Sequence, residues 1–255
     1  MRMLTGALAI GSGKVEIGGF DISRHPREVK RMIGYLPESP PLYLDMSVFK
    51  FLRFCAQMRG VSTVKEAVDA VISQTGLEEV VHRPIGNLSK GFRQRVGIAQ
   101  ALVHRPSVLI LDEPVSGLDP TQRREIRALI QSLAAGDTTV LLSTHVLSEI
   151  EAICHRVLIM DGGRLVQDDT MASLASAHGR VVVKVARPTP TLEGELEALD
   201  GVNSLSVMGA GSYELNVETD VREAVGRLAL PCGLLELRTP QALEEAFVRV
   251  TEGDT

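Results

Sequence analysis

The chain has 255 residues, a formal net charge of −5, and 44% hydrophobic and 23% charged residues. This composition is typical of a globular protein with one large domain or two smaller ones. The acidic balance argues against a broad nucleic-acid-binding surface, which usually carries an excess of Lys and Arg. Three widely spaced cysteines favour a reducing compartment, and no apolar run approaches the ~18 residues of a membrane span.

The first residues contain a fragment of a phosphate-binding motif. Residues 1–6 are typical of the last turn of a helix capped by glycine, and we expect neither a signal peptide nor an anchor there. Gly13 and Lys14 match the end of a P-loop, but the motif requires Gly where Leu8 stands and Ser or Thr where Val15 stands. We therefore interpret residues 11–13 as a plain turn before a short strand.

The next hundred residues are predicted to be mostly helical. Apolar residues recur at helical spacing in several segments, and a helix start is predicted at residues 87–91. Three prolines in residues 33–41 predict a loop without regular structure there. The predicted helices cover residues 27–32, 48–58, 64–72 and about 90–103.

The clearest pattern is a buried strand at residues 107–111, which leads directly into Asp112 and Glu113 and ends at Pro114. Open α/β sheets bind their ligands at the carboxyl ends of such strands. A core strand that ends in an acidic turn is the alternative interpretation. A second apolar strand, at residues 139–143, is followed by His145. The alternation of strands and helices predicts an α/β fold with a parallel sheet.

The pattern changes near residue 179, where short strands and helices alternate in a different order. The order β-α-β-β-α-β followed by a helix predicts a small α+β domain of ferredoxin-like type. We find no catalytic cluster in it and expect a role in regulation or dimer contacts. The predicted strands are 181–185, 204–207, 213–217 and 234–237, and the predicted helices are 192–199, 221–228 and 242–250.

Three features occur together in a fixed order: the helix start from Leu88, the strand ending in Asp112 and Glu113, and His145 after the second strand. This set resembles the ATP-binding subunits of ABC transporters, in the ABC-2-type, gliding-motility and drug-export branch. The resemblance implies a P-loop NTPase-like parallel sheet with a helical subdomain at about residues 40–103. It implies a nucleotide-binding domain at residues 1–178 and an accessory domain at residues 179–255.

The resemblance also implies roles for individual residues. Asp112 corresponds to the Walker B carboxylate, which holds Mg²⁺ through water, and Glu113 to the general base for the attacking water. His145 resembles the switch histidine that bonds the γ-phosphate. Glu38 stands at the position of the Q-loop glutamine, where a carboxylate can face Mg²⁺ or water but cannot donate a hydrogen bond as an amide does.

The helix start resembles the signature motif of the family. Ser89 and Gly91 match residues that close on the γ-phosphate bound by the opposite subunit, where free N–H groups at a helix N-terminus favour an anion. Lys90 replaces the usual glycine and Phe92 the usual glutamine, and Lys90 adds positive charge beside the phosphate. Asp119 resembles the D-loop aspartate, with a helix-capping turn as the alternative interpretation.

ATP and Mg²⁺ are the implied cofactors. The implied partners are a transmembrane permease and a second ATP-binding subunit, in a homo- or heterodimer, with no nucleic acid. The implied location is cytoplasmic, on the inner face of the cell membrane. The apolar residues between 43 and 54 are candidates for permease docking, and a small helical core explains them equally well.

The family's Walker A segment and the strand before it have no counterpart in the sequence. In relatives the P-loop lies just before a helix that ends like residues 1–6. Its backbone N–H groups and Lys carry most of the phosphate binding. We therefore expect an N-terminally truncated chain that binds ATP poorly and is inactive alone.

Three functions are compatible with the motifs. The first is an ATPase subunit that powers export through a separate permease. The second is a non-hydrolysing, ABC-like regulatory partner that supplies a signature helix to another subunit. Retention of Asp112, Glu113 and His145 favours the first, because a structural partner does not need them. A related DNA-repair ATPase is disfavoured by the absence of long heptad arms and of a basic surface.

Overall fold

The computed structural model describes residues 1–173 and 179–238. The chain divides into two compact units, Met1–Glu149 and Ile150–Thr255. The predicted domain boundary between residues 178 and 179 stays a prediction, since it touches residues that the structure does not describe. The predicted final helix, residues 242–250, also lies outside the described residues.

The first unit contains a short hairpin, a small parallel sheet and a group of helices. The hairpin pairs β1 (Glu16–Ile17) with β2 (Phe20–Asp21). The remaining elements in chain order are α1 (Pro26–Met32), β3 (Ile33–Leu36), α2 (Val48–Met58), α3 (Val64–Thr75), α4 (Lys90–Leu102), β4 (Val108–Asp112), α5 (Pro120–Ala134), β5 (Thr139–Ser143) and α6 (Leu147–Ile153), which crosses the unit boundary.

The parallel sheet has β4 at its centre, between β3 and β5. Leu109, Ile110 and Leu111 of β4 are at most 1% exposed. A central strand of a parallel sheet is covered on both faces, which is why β4 is apolar without alternation. This confirms the predicted buried strand and places Asp112 at the carboxyl edge of the sheet.

The predicted loop at residues 33–41 is wrong for its first part, because residues 33–36 form strand β3. Its prolines begin at Pro37, so the backbone of these four residues remains free to pair with β4. Gly34 is required for close packing, since a Cβ there would lie 2.2 Å from the carbonyl oxygen of Ala101 in α4.

The N-terminal residues form a turn where the sequence predicted the end of a helix. Thr5 donates its N–H to the Met1 carbonyl over 3.3 Å, and Gly6 has a φ of +67°. The strand and glycine turn predicted next are confirmed, with Gly18 and Gly19 connecting β1 to β2.

Helices α2, α3 and α4 pack together. Helices α2 and α3 bury one face each, as the predicted periodicity requires, whereas α4 is buried nearly all round, with residues 96–99 all buried. Ser47 caps α2 and Ser89 caps α4, each accepting a hydrogen bond from the backbone N–H three residues later. The start of α4 is therefore encoded locally by Ser89.

The second unit contains an antiparallel hairpin and a four-stranded antiparallel sheet. The hairpin pairs β6 (Arg156–Asp161) with β7 (Arg164–Thr170). The sheet has the order β11-β8-β10-β9, and its elements in chain order are β8 (Gly179–Val185), α7 (Pro190–Glu197), β9 (Val202–Gly209), β10 (Ser212–Val217), α8 (Arg222–Ala229) and β11 (Leu234–Arg238).

The core of this sheet lies on one of its faces. Val183, Tyr213 and Leu215 of the strands are fully buried with Leu196 of α7 and Val225 of α8. The predicted order β-α-β-β-α-β is present in the described residues. Within those residues we find no helix with the length and hydropathy that crossing a membrane requires.

His104 gives the first unit a stability that depends on pH. Its Nε2 donates to the Ile33 carbonyl over 3.0 Å, while its Nδ1 is buried and has no partner within residues 1–173 and 179–238. Burial and the charge of Arg59 lower the pKa of His104 from 6.5 to about 4. The unfolded chain therefore binds an extra proton between pH 6.5 and 4, and the free energy of unfolding falls as the pH drops through this range.

We predict that His104→Gln reduces this loss of stability, because the amide can still donate to Ile33 but does not titrate. Urea midpoints followed by circular dichroism between pH 7 and 4 measure the effect. The exposed His82, changed to Gln, is the matched control. Equal pH dependence of the His104 variant and the unchanged chain would contradict the prediction.

Candidate functional site

The candidate site lies where β4 and β5 end. Asp112 and Ser143 occupy paired positions in the parallel ladder. The Ser143 hydroxyl donates to Asp112 Oδ1. This bond fixes the orientation of a half-buried carboxylate at the carboxyl edge of the sheet.

Glu113 has a backbone conformation that non-glycine residues rarely adopt, with a φ of +47°. Its N–H lies 3.1 Å from the Ser143 carbonyl oxygen and 3.3 Å from the Ser143 hydroxyl oxygen, which both accept from it. Such a conformation costs about 1–3 kcal/mol and is concentrated at functional sites. Ser143 therefore holds the backbone of Glu113 as well as the carboxylate of Asp112.

Glu113 and His145 form a pair. His145 Nδ1 lies 2.8 Å from Glu113 Oε1, and the His145 backbone N–H donates to the same oxygen over 3.2 Å. Because a carboxylate only accepts, Nδ1 carries the proton and Nε2 points away from the pair. The His145 side chain is 76% exposed and that of Glu113 is 18% exposed. The imidazole is therefore oriented by Glu113 and is exposed enough to contact a ligand.

The second oxygen of Glu113, Oε2, is buried and has no hydrogen-bond partner in the part of the chain that the structure describes. A buried carboxylate oxygen without a partner is costly, since it has lost water without gaining a donor. Oε1 thus accepts from the backbone and the ring of His145, while Oε2 has no donor among the described residues.

The signature residues lie at the N-terminus of α4. Ser89 Oγ accepts from the Phe92 N–H over 3.3 Å. Lys90 lies over Gly117, where an added Cβ would be 2.1 Å from Lys90 Nζ. Gly91 faces Gln122 of α5, and an added Cβ there would be 2.7 Å from the Gln122 Cδ. The turn after β4 and the start of α4 therefore pack together closely.

Glu38 lies in a surface pocket of about 400 Å³. Lys90 and Ser116 line the same pocket, together with Arg93 and Gln94. The structure therefore places Glu38 with the signature residues. Asp112 and Glu113 are not among the residues that line this pocket.

Asp119 caps helix α5. Its Oδ1 accepts from the Gln122 N–H over 2.9 Å. This capping turn was the alternative interpretation of the sequence, and the structure contains it. A D-loop role for Asp119 stays a prediction.

Two residues of the site were not found from the sequence. Ser143 was taken only as the end of a strand. Gln94 is 7% exposed and its Nε2 donates to the Pro114 carbonyl over 2.8 Å, which ties α4 to the turn after Glu113. A polar side chain on the buried side of a predicted helix was the available signal for Gln94.

The donor set is compatible with Mg²⁺ that arrives with nucleotide. In the described ranges no three His, Cys, Asp or Glu side chains group together as a metal site. Mg²⁺ usually binds one or two carboxylates and completes its shell with substrate phosphates and waters. Asp112 supplies one carboxylate at the carboxyl edge of the sheet.

Comparison with known proteins places these residues in a family. The family model described as ABC transporter matches residues 1–116. YxlF of Bacillus subtilis (strain 168), an uncharacterized ABC transporter ATP-binding protein, is 41% identical over 65% of this chain and 55% of its own length. The chain thus spans about half the length of that relative.

Two further comparisons cover more of the relatives. The Nod factor export ATP-binding protein I of Paraburkholderia xenovorans (strain LB400) is 32% identical over 98% of this chain and 83% of its own length. A solved ATP-binding subunit of an ABC transporter matches with a TM-score of 0.60 and 27% identity, covering 68% of this chain and 73% of that chain. The chain belongs to the family of ABC transporter ATP-binding proteins.

Proposed function

We propose that the chain is the ATP-binding and ATP-hydrolysing subunit of an ABC transporter that powers export through a separate membrane permease. The observation that carries this proposal is the Glu113–His145 pair, in which Glu113 Oε2 has no donor among the described residues. A structural partner has no need of a carboxylate paired with an exposed imidazole. Export is supported by the name of the Nod factor relative.

The roles of the residues follow from their atoms. Asp112 would hold Mg²⁺ through water, and the metal would neutralise charge on the phosphate oxygens. Glu113 Oε2 accepts a proton from the water that attacks the γ-phosphorus, while the bond to the β-phosphate oxygen breaks. The exposed His145 Nε2 would orient the γ-phosphate by donating a hydrogen bond to it, which requires a proton on Nε2 as well as on Nδ1. The products of the step are ADP and inorganic phosphate.

The signature residues act on nucleotide held by a second ATP-binding subunit. Ser89 and Gly91 offer a hydroxyl and free N–H groups at the start of α4, and Lys90 adds a cation there. In this proposal Asp119 adds the D-loop contact and Glu38 faces Mg²⁺ or water. The assembly is a homo- or heterodimer.

An aromatic cluster in the first unit supports docking of the permease. Tyr43 packs against Phe51 and Phe54, with ring centroids 5.9 and 5.6 Å away. Tyr43 is 53% exposed and Phe54 is 37% exposed, while Phe51 is buried. The cluster is therefore anchored in the helical core and open to a partner. We therefore propose that the subunit lies on the inner face of the membrane.

We also propose that residues 1–178 act as the nucleotide-binding domain and residues 179–255 as a ferredoxin-like accessory domain. The antiparallel order β11-β8-β10-β9 supports the second assignment, since consecutive βαβ units interleave in that order.

In the complete transporter complex, with the family's P-loop segment joined before residue 1, we predict that Glu113→Gln keeps ATP binding and lowers hydrolysis by about 10²–10⁴-fold, because the amide cannot accept the proton from water. Phosphate release and nucleotide binding measured side by side test this. The exposed Glu28, changed to Gln, is the control. Unchanged transport by the Glu113 variant would instead favour the non-hydrolysing regulatory partner.

For residues 1–255 purified alone, we predict weak MgATP binding and no hydrolysis above background, because the sequence contains no match to the P-loop motif. Equilibrium dialysis and a phosphate-release assay measure both quantities. Robust hydrolysis that Glu113→Gln abolishes would show that this expectation is wrong.

We predict that Phe54→Ser weakens binding of the permease and lowers transport, because it removes an exposed ring that packs against Tyr43 in the aromatic cluster. The matched control is Phe20→Ser, which removes another exposed aromatic ring in the first unit. Co-purification of the permease with each variant is the measurement. Equal losses in the two variants would count against docking at this cluster.

A further inference from the structure

Strand β9 forms one edge of the antiparallel sheet in the second unit. It pairs only with β10 among the described residues, so its other side presents unpaired N–H and C=O groups. Unpaired strand edges are templates for another strand, and proteins usually protect them with charged side chains or proline. The composition of β9 is therefore informative.

The strand carries none of this charge protection. Residues 201–213 contain no charged residue and no proline, although 23% of the whole chain is charged. Each of the other three strands of the sheet carries at least one charge, and the opposite edge, β11, carries Glu236 and Arg238. Val207 is 57% exposed and Met208 is 66% exposed on β9. The β11 edge is thus protected by charge, whereas the β9 edge is uncharged and exposes two apolar side chains.

The register shows which part of β9 can pair. Irregularities at Asn203 and Met208 leave a regular stretch at residues 204–207. Leu205 and Val207 lie opposite the buried Leu215 and Tyr213, so they belong to the core face of the sheet. Ser206 lies opposite Glu214 and belongs to the other face.

This stretch is complementary to itself. An antiparallel pair of two such strands centred on Ser206 sets Ser206 opposite Ser206 and sets Leu205 of each copy opposite Val207 of the other. Apolar cross-strand pairs on one face stabilise a sheet by about 0.2–1 kcal/mol each. No like charges meet in this pairing, which matters for two copies that each carry a net charge of −5.

We infer that the β9 edge is a contact between two copies of this chain, paired antiparallel about Ser206 so that their sheets continue into one another. The inference rests on the proposed function in one respect, since a homodimeric ATP-binding assembly brings two copies together. Four regular residues bury far less than the ~1,200 Å² of a standard interface. The contact is therefore weak, and a high protein concentration is needed to populate it.

Disulfide trapping of the full chain without nucleotide tests this directly. Residues opposite each other in an antiparallel pair have Cα atoms about 4.5–5.5 Å apart, which suits a disulfide. The Ser206→Cys variant is oxidised at high protein concentration. The control is Leu235→Cys, which puts an exposed thiol on the opposite edge of the sheet, since Leu235 is 63% exposed. Burial raises the pKa of the Cys55 thiol to about 11 and also raises that of Cys154, so these native thiols react slowly.

We expect Ser206→Cys to form the disulfide-linked dimer about tenfold faster than Leu235→Cys, because pairing raises the effective concentration of the two thiols. Adding Val207→Lys to the Ser206 variant should remove this advantage, whereas adding Leu235→Lys should preserve it. Circular dichroism of each variant confirms that the sheet remains folded.

Equal rates for Ser206→Cys and Leu235→Cys would overturn the inference, as would a folded Val207→Lys variant that cross-links as fast as before. Either result would mean that two β9 strands do not pair in the proposed register. Because no nucleotide is present, this outcome is independent of whether the chain hydrolyses ATP, which the Glu113→Gln experiment addresses separately.

Discussion

Parallel pairing of β4 with β5 is the constraint on which the candidate site depends. The register sets Asp112 beside Ser143, whose hydroxyl binds Asp112 and whose carbonyl accepts the Glu113 N–H. A slip of one residue would turn each side chain of a strand to the other face. Leu109, Ile110 and Leu111 are buried, so the core fixes this register independently of the site. Core packing thus determines where two carboxylates lie.

The geometry of Glu113 shows how the fold supports an unfavourable local arrangement. The residue combines a φ of +47° with a buried carboxylate oxygen that lacks a partner. Glu113 is held in place by the hydrogen bond from its N–H to Ser143 and by the hydrogen bonds that its Oε1 accepts from His145. The Gln94 bond to the Pro114 carbonyl holds the following turn against α4. The Glu113 carboxylate is therefore fixed from both sides, while its Oε2 has no donor among the described residues.

Short stretches of the sequence predicted the parts of the site that depend only on neighbouring residues. The apolar run of β4, the Ser89 cap and the position of His145 after β5 could all be found from short segments. The three prolines predicted a loop in place of strand β3, but their disruptive effect begins at Pro37 and does not reach back to residues 33–36. The roles of Ser143 and Gln94, and the packing of Lys90 over Gly117, depend on contacts between distant segments, so spacing along the chain did not reveal them.

The central claim is that Glu113 and His145 act on the γ-phosphate of ATP. Its most direct measurement is a structure of the complete transporter complex trapped with ADP, vanadate and Mg²⁺. We predict vanadate oxygens within the hydrogen-bond reach of ~2.6–3.2 Å from His145 Nε2, with Glu113 Oε2 facing the apical oxygen. A vanadate bound away from the carboxyl ends of β4 and β5 would contradict the account.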